Sequence, residues 1–198
     1  MEGQGSINMS PRTQFLPSLV ISICSTLTAL SSTPTAAQPA TVDFTVSGTS
    51  TIRGWTCTVQ ATVQVTPGSS DPAPGFTAGV ETATLTAPVN AFECPNDEMT
   101  EHLLDAMKAD RFPEITFQLE DYEVAGQQIE TTGALTITGV TESVRFPVSL
   151  APSGEGIEIE GELRLDMTTF GVEPPVVMLG LLQVRPQIRI EFEGLIAQ

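Results

Sequence analysis

The chain has 198 residues, enough for one domain with a substantial hydrophobic core. It contains 24 acidic and 8 basic residues, which gives a formal net charge of −16. This charge excludes nucleic acid as a partner, because phosphates need a basic surface, and it disfavours electrostatic docking to anionic lipids. An acidic surface suits a high-salt environment, but it also suits an ordinary acidic exported protein, and both interpretations stay open.

The first 37 residues have the pattern of a secretory signal peptide. Arg12 supplies a positive flank, residues 15–30 are largely apolar, and Thr35-Ala36-Ala37 offers small side chains before a cleavage site. Proline and serine residues interrupt the apolar part, so we do not expect an integral membrane protein.

Cleavage after Ala37 would leave one domain, residues 38–198, in an exported protein that is periplasmic or secreted. The translation start is either Met1 or Met9, because the residues before Met9 do not resemble a signal region.

Alternation of apolar and polar residues predicts a series of β-strands along the rest of the chain. The predicted strands cover residues 41–47, 55–65, 79–89, 115–119, 127–138, 142–150, 157–165 and 184–192. Pro186 lacks a backbone donor, so we expect it near a sheet edge, a bulge or the start of its strand.

One short amphipathic helix interrupts the strands. Met99, Leu103, Leu104 and Met107 recur at helical spacing, and Asn96 or Asp97 can cap the helix. The segment Arg111-Phe112-Pro113 stops it, because the residue before a proline is pushed out of the α region. We interpret this helix as a cover over an apolar interior.

Eight antiparallel strands joined by short turns favour an all-β, up-and-down barrel, with a two-sheet sandwich as the alternative. The interior of such a barrel is either filled by side chains or open to one ligand, and periodicity does not distinguish the two. Residues 167–182 break the alternation, since they are apolar and rich in glycine and proline.

Cys57 and Cys94 predict a disulfide in an exported chain, worth about 4 kcal/mol in the chain-entropy model. A metal site built from both cysteines and His102 is the alternative, but its spacing matches no common zinc pattern. We therefore expect no metal and no cofactor. We also expect no enzyme and no catalytic residues, because the nucleophile-elbow, zinc-protease and phosphate-loop motifs are missing from the sequence.

Four segments together resemble the YceI-like family, also called the lipid or polyisoprenoid-binding domain family. They read VDFTVSGTSTIRGW, EHLLDAMKADRFPEITF, GALTITGVTESVRFPVSL and GELRLDMTTFGVEPP. The resemblance implies an eight-stranded antiparallel, lipocalin-like barrel whose tunnel binds a long-chain isoprenoid, a quinone or a fatty amide. It also implies that the helix lies across one opening of the barrel.

On the matching segments, the resemblance places twelve apolar side chains at or near the tunnel. They are Phe44, Trp55, Leu103, Met107, Phe112, Phe117, Leu135, Ile137, Phe146, Leu163, Phe170 and Ile190. His102 and Arg111 are the candidates for its mouth. Any of the twelve could be ordinary core instead, and His102 could make a structural hydrogen bond. The alternative function is a non-catalytic stress-response or interaction module with a filled barrel, and a homodimer is also left open.

Overall fold

A computed structural model describes residues 39–68, 71–126 and 128–197. The predicted signal peptide, residues 1–37, lies outside the described residues. Within the described residues the chain forms nine strands and one α-helix. These are β1 (Ala40–Ser50), β2 (Gly54–Pro67), β3 (Val80–Pro88), α1 (Asp97–Met107), β4 (Glu114–Ala125), β5 (Gln128–Ile137), β6 (Val140–Ser153), β7 (Gly156–Asp166), β8 (Val176–Val177) and β9 (Leu182–Ile196).

The strands close into an antiparallel barrel. β1 to β7 pair in chain order, and β9 pairs with both β7 and β1, so that Phe192 lies opposite both Phe44 and Gly161. The two-residue strand β8 pairs only with the start of β9, at Gln183 and Leu182, and is not one of the eight barrel strands in the described part of the chain. This confirms the predicted eight-stranded, lipocalin-like barrel, whose closure removes exposed sheet edges.

Alternation along each strand decides which side chains enter the barrel. In β2, Cys57, Val59, Ala61 and Val63 are buried and the residues between them are exposed. In β4 the alternation changes phase, because a bulge lies between Leu119, which pairs with Gly133, and Asp121, which pairs with Thr132. Before the bulge the odd-numbered residues of β4 point into the barrel, and after it the even-numbered Tyr122 does. This change is expected when one extra residue enters a strand.

Pro186 lies where the pairing of β9 with β1 is irregular. Gly48 pairs with Ile188, and two residues further along β1, Ser50 pairs with Val184. The interrupted register removes the need for a backbone donor at this position. The expectation that Pro186 would lie near a bulge is therefore confirmed.

The helix α1 lies at the end of the barrel where β1 finishes and β2 begins, which we call the mouth end. Asn96 caps α1, since its side-chain oxygen accepts a hydrogen bond from the Met99 amide at 2.9 Å. The helix ends at Lys108, which adopts a left-handed conformation with φ of 53° and donates its amide to the last turn. The prediction that Arg111-Phe112-Pro113 stops the helix is therefore wrong, because the left-handed Lys108 ends it earlier in the chain.

The opposite end, which we call the closed end, is covered by residues 71–79. Ala73 and Phe76 exchange backbone hydrogen bonds and both pack into the barrel core. The Tyr122 hydroxyl ties this loop down, because it donates to the Asp71 carbonyl and accepts from the Val80 amide at 3.0 Å. Because the bulge turns Tyr122 of β4 inward, this strand holds the loop that covers the closed end.

Candidate functional site

A cavity of about 320 Å³, the mouth cavity, lies beneath α1. Met99, Leu103, Ala106 and Met107 form its helical wall, and strands and the segment 165–190 form the rest. Most lining side chains are apolar. The polar members Arg53, Asn96 and Glu98 are exposed, and they mark where the cavity meets solvent.

A second cavity of about 200 Å³, the deep cavity, continues toward the closed end. Phe44, Phe117, Phe146 and Phe192 contribute rings to its wall, and Ala73 and Phe76 line it from the closing loop. The rings contact one another: Phe44 stacks on Phe192 with centroids 5.3 Å apart, and Phe146 meets Phe117 edge to face at 5.5 Å. These aromatic contacts give the deep cavity a rigid apolar wall.

Five side chains line both cavities, and we call them the waist. They are Val46, Phe92, Ile115, Ile137 and Ile190. Because they come from β1, the turn after β3, β4, β5 and β9, the waist surrounds the barrel interior. The two cavities therefore adjoin at one apolar ring. We call the apolar space on both sides of this ring the tunnel, which extends from the mouth end toward the closed end.

Two buried polar atoms border this tunnel without a hydrogen-bond partner among the described residues. They are the indole nitrogen Nε1 of Trp55, on the mouth cavity, and the hydroxyl Oγ1 of Thr131, on the deep cavity. Thr131 is 5% exposed. Leaving a buried donor or hydroxyl unpaired costs about 1–3 kcal/mol, so each atom favours a ligand group or a water that would satisfy it.

Register positions Thr131 far from the mouth. It lies six residues before the waist residue Ile137 on β5, which corresponds to roughly 20 Å along a strand. Trp55 lies on the other side of the waist, and its ring packs against Gly48, its cross-strand partner. The tunnel thus has one unpaired buried polar atom on each side of the waist, and the waist itself is apolar.

The start of α1 is fixed to the barrel wall by covalent and hydrogen bonds. Cys57 on β2 forms a disulfide with Cys94, just before the helix, which confirms the predicted pairing. Next to it, Thr58 and Glu93 exchange two backbone hydrogen bonds of 2.8 Å. Every residue of α1 itself is half-buried or exposed, and its inner face both borders the mouth cavity and packs against core side chains through Met99, Leu103 and Met107.

Most of the side chains predicted to lie near a tunnel do line the two cavities. Trp55, Leu103 and Met107 line the mouth cavity, Ile137 and Ile190 belong to the waist, and Phe44, Phe117, Leu135, Phe146 and Leu163 line the deep cavity. His102 lines the mouth cavity as well, and it is half-buried. Their role in ligand binding stays a prediction.

Phe112, Phe170 and Arg111 lie outside both cavities. The Phe112 ring packs over Gly139, in the turn between β5 and β6, and the Arg111 guanidinium lies 5.2 Å from the centroid of that ring. Phe170 is fully buried among Leu135, Ile137, Met167 and Val172, and its carbonyl accepts a hydrogen bond from the Thr138 hydroxyl. Both rings pack beside the tunnel, at the mouth end of the barrel.

Thr131 is a tunnel residue that the sequence interpretation missed. It has the same odd parity as Ile129, Leu135 and Ile137, the apolar residues that alternate along β5. A threonine on that face was the available signal, since a polar residue at an inward position implies a buried hydroxyl. Met99 and Ile115 also line the mouth cavity and were not among the predicted tunnel residues.

Asp166 begins the turn that follows β7 at the mouth end. Its carboxylate accepts hydrogen bonds from the Thr168 hydroxyl and from the Thr168 amide at 2.9 Å, and a third from Gln187 at 3.2 Å. These bonds, the Thr168 hydroxyl first, lower the pKa of Asp166 below its ordinary value, and partial desolvation opposes them. The carboxylate thereby holds residues 167–170 in place beside the mouth cavity.

Fold and cavities together define a class: a closed lipocalin-like barrel whose interior is an apolar tunnel partly covered by one short helix of the described chain. Residues 36–194 match the YceI-like domain, so the chain belongs to the YceI-like family. Among the described residues, no α-helix combines the length and apolar character needed to cross a bilayer.

Curated relatives share part of the chain. Protein YceI from Salmonella arizonae and Protein YceI from Salmonella newport are each 29% identical over 91 residues, which is 41% of this chain and 48% of theirs. The matched region therefore spans about half the length of these relatives.

Two solved structures share the fold. BcnA from Burkholderia cenocepacia superposes with a TM-score of 0.62 at 23% identity, covering 76% of this chain and 94% of BcnA. A structure described as a polyisoprenoid binding domain from Saccharophagus degradans, implicated in plant cell wall breakdown, gives a TM-score of 0.60 at 13% identity, covering 80% of this chain and 97% of that one. At these identities the likeness concerns the fold.

Proposed function

We propose that this protein binds a long-chain apolar molecule, an isoprenoid, a quinone or a fatty amide, in its tunnel and carries or sequesters it outside the cytoplasm. The observation that carries this proposal is that two adjacent apolar cavities share the waist residues and together span the barrel interior. Each buried methylene gains about 0.8 kcal/mol on leaving water, so an apolar tunnel stabilises an extended hydrocarbon chain.

The volumes are compatible with this function. The mouth cavity holds about 320 Å³, at the lower end of the range of small-molecule sites, and the adjacent deep cavity adds about 200 Å³. A filled barrel that serves only for interactions would pack this space with side chains at interior density. The described polyisoprenoid-binding domain with the same fold further supports a lipid ligand.

The tunnel's polar atoms suggest the chemistry of the ligand. The Trp55 indole can only donate, so it suits an acceptor such as a carbonyl or quinone oxygen near the mouth. The Thr131 hydroxyl can donate or accept at the deep end. Neither site carries a charge, which favours a neutral ligand.

Two features support export. Residues 1–37 have the signal-peptide pattern, and the Cys57–Cys94 disulfide is of the kind that persists in oxidising compartments. We further propose that the protein acts without catalysis. The test of that point is His102→Ala, which we expect to leave ligand content unchanged; loss of a measurable turnover would instead indicate an enzyme.

The experiment that tests the function is identification of lipids that co-purify with the mature protein, by mass spectrometry of organic extracts. We expect a stoichiometric neutral long-chain lipid. Val46→Phe, which adds a ring at the waist, is expected to reduce this content, whereas Val124→Phe, at an exposed position of the closed end, is not. A protein that purifies empty and refuses added lipid would contradict the proposal and favour the interaction module.

A further inference from the structure

Two neighbouring segments at the mouth end expose large aliphatic side chains. We call residues 50–53 the rim turn and residues 175–184, which include β8 and the start of β9, the rim hairpin. The four most exposed large apolar side chains of the described chain lie in them. They are Ile52, Val176, Leu179 and Leu181, with relative exposures of 61%, 62%, 106% and 72%.

Hydrogen bonds join the two segments into one surface. The Thr51 amide donates to the Gln183 carbonyl at 3.0 Å, and the Thr51 hydroxyl donates to the Leu181 carbonyl at 2.9 Å. Within the hairpin, the Val184 amide donates to the Pro175 carbonyl at 3.1 Å. The exposed aliphatic side chains are therefore presented by ordered backbone, adjacent to one another.

This surface is continuous with the tunnel. Ser50 and Arg53 of the rim turn line the mouth cavity, and so do Pro175, Val177, Leu182 and Val184 of the rim hairpin. Val176 belongs to the exposed surface, since its side chain faces outward, and its neighbour Val177 lines the mouth cavity. Whatever covers the rim also covers the entrance to the mouth cavity.

Leu179 is unfavourable for folding in two respects. Its φ of 56° and ψ of 35° place a bulky residue in the left-handed region, which is strained without glycine. Its side chain buries nothing in the free protein. The fold gains nothing from leucine here, so the residue fits a role in contact with something outside the chain.

The local charge identifies the kind of partner. Residues 44–70 and 174–190 contain no aspartate or glutamate, although the chain carries 24 acidic residues, and the acidic side chain at the edge of the mouth cavity, Glu98, comes from α1 instead. Arg53 and Arg185 flank the apolar surface, and neither has a carboxylate partner among the described residues. Aliphatic side chains bordered by arginines match the interface of a phospholipid bilayer, where chains lie beneath phosphates.

We infer that the rim turn and rim hairpin dock this protein on a phospholipid bilayer, with the mouth cavity facing the lipid. This inference builds on the proposed function, because a ligand passing from bilayer to tunnel at this contact would not cross water. Docking itself needs no ligand, and the two proposals can therefore fail separately.

The experiment is flotation with phosphatidylcholine vesicles. Neutral vesicles are chosen because a protein of net charge −16 is repelled by anionic ones, most strongly at low salt. We expect the wild-type protein to float with the vesicles and the double variant Leu179→Asp, Leu181→Asp to lose binding about tenfold or more. Val124→Asp, at the closed end, is the matched control and should bind like wild type.

Folding of the variants is separated from docking by Leu179→Asn. Asparagine tolerates the left-handed conformation, so this variant should be at least as stable as wild type while floating less. Wild-type protein that stays below the vesicles, or a double variant that floats equally, would overturn the inference. A dimer that the double variant abolishes, without vesicle binding by either form, would assign the surface to a second copy. If the double variant does not float but still contains bound lipid, docking on the bilayer is a function distinct from ligand binding.

Discussion

The ring of Phe192 on β9 lies directly over the Cα of Gly161, its cross-strand partner on β7. A Cβ placed on Gly161 would come within 2.7 Å of Phe192 Cε1. The same ring stacks on Phe44 and meets Phe146 edge to face at 6.0 Å. The missing side chain at Gly161 thus positions an aromatic wall of the deep cavity.

We expect Gly161→Ala to displace Phe192 and to lower the free energy of unfolding by about 1–3 kcal/mol, as overpacking does. Chemical denaturation measures this change. Gly154→Ala is the matched control, because a Cβ there meets nothing within 4 Å. Equal stabilities for the two variants would show that the Phe192 ring adjusts without cost.

Removing the disulfide should destabilise the fold and loosen the start of α1. The bond closes a separation of 37 residues, so Cys57→Ala with Cys94→Ala should cost about 4 kcal/mol in the chain-entropy model. Because Cys94 precedes the helix that covers the mouth cavity, lipid exchange should also become faster. Thermal unfolding and lipid-release rates measure the two effects, and unchanged release would indicate that the Thr58–Glu93 hydrogen bonds suffice.

Trp55 is the only tryptophan of the chain and lines the mouth cavity. Ligand entry should therefore change its intrinsic fluorescence, and a lipid with brominated chains should quench it. Trp55→Phe, which keeps an aromatic ring but removes the indole donor, should weaken binding of a carbonyl-bearing ligand by about 1 kcal/mol. Binding of a pure hydrocarbon chain is the control and should change less.

Stability should rise with salt concentration. On the outer face of the barrel, Glu193 lies opposite both Glu160 and Asp43, whereas Arg189 contacts both Glu162 and Glu191 and so compensates that pair. Like charges opposite each other destabilise a sheet by a few tenths of a kcal/mol to about 1 kcal/mol, and salt screens them. Glu193→Gln should raise stability at low salt and flatten its salt dependence; an indifferent wild-type curve would contradict this prediction.

Acid should weaken the turn after β7. The pKa of Asp166 is lowered in the folded protein, chiefly by the Thr168 hydroxyl, so its contribution to stability is present above the unfolded pKa and is lost as pH falls through the folded one. In the Asp166→Asn variant, the free energy of unfolding should therefore depend less steeply on pH below the ordinary pKa of aspartate. Denaturation midpoints across that range measure the difference, with Asp43→Asn as a comparison on the barrel wall.

The sequence by itself determined the barrel strands, the capped helix and the disulfide. These follow from local rules: alternation selects an inward face on β2 and β7, Asn96 caps α1, and two cysteines in an exported chain pair. The irregular strand pairing near Pro186 was also predictable, because proline has no backbone N–H to donate to a neighbouring strand.

Tertiary structure alone decided which inward side chains border open space. Phe112 and Phe170, which were predicted at or near the tunnel, pack beside it without lining either cavity, whereas the unpredicted Thr131 borders it. A cavity is the volume that side chains from distant strands leave unfilled. Its size depends on all of them together, so no local sequence pattern predicts it. The bulge at β4 and the hydrogen bonds of Thr51 to Leu181 and Gln183 likewise depend on strand register across the closed barrel. For that reason the tunnel's closed end and its apolar rim emerge only when the chain is folded.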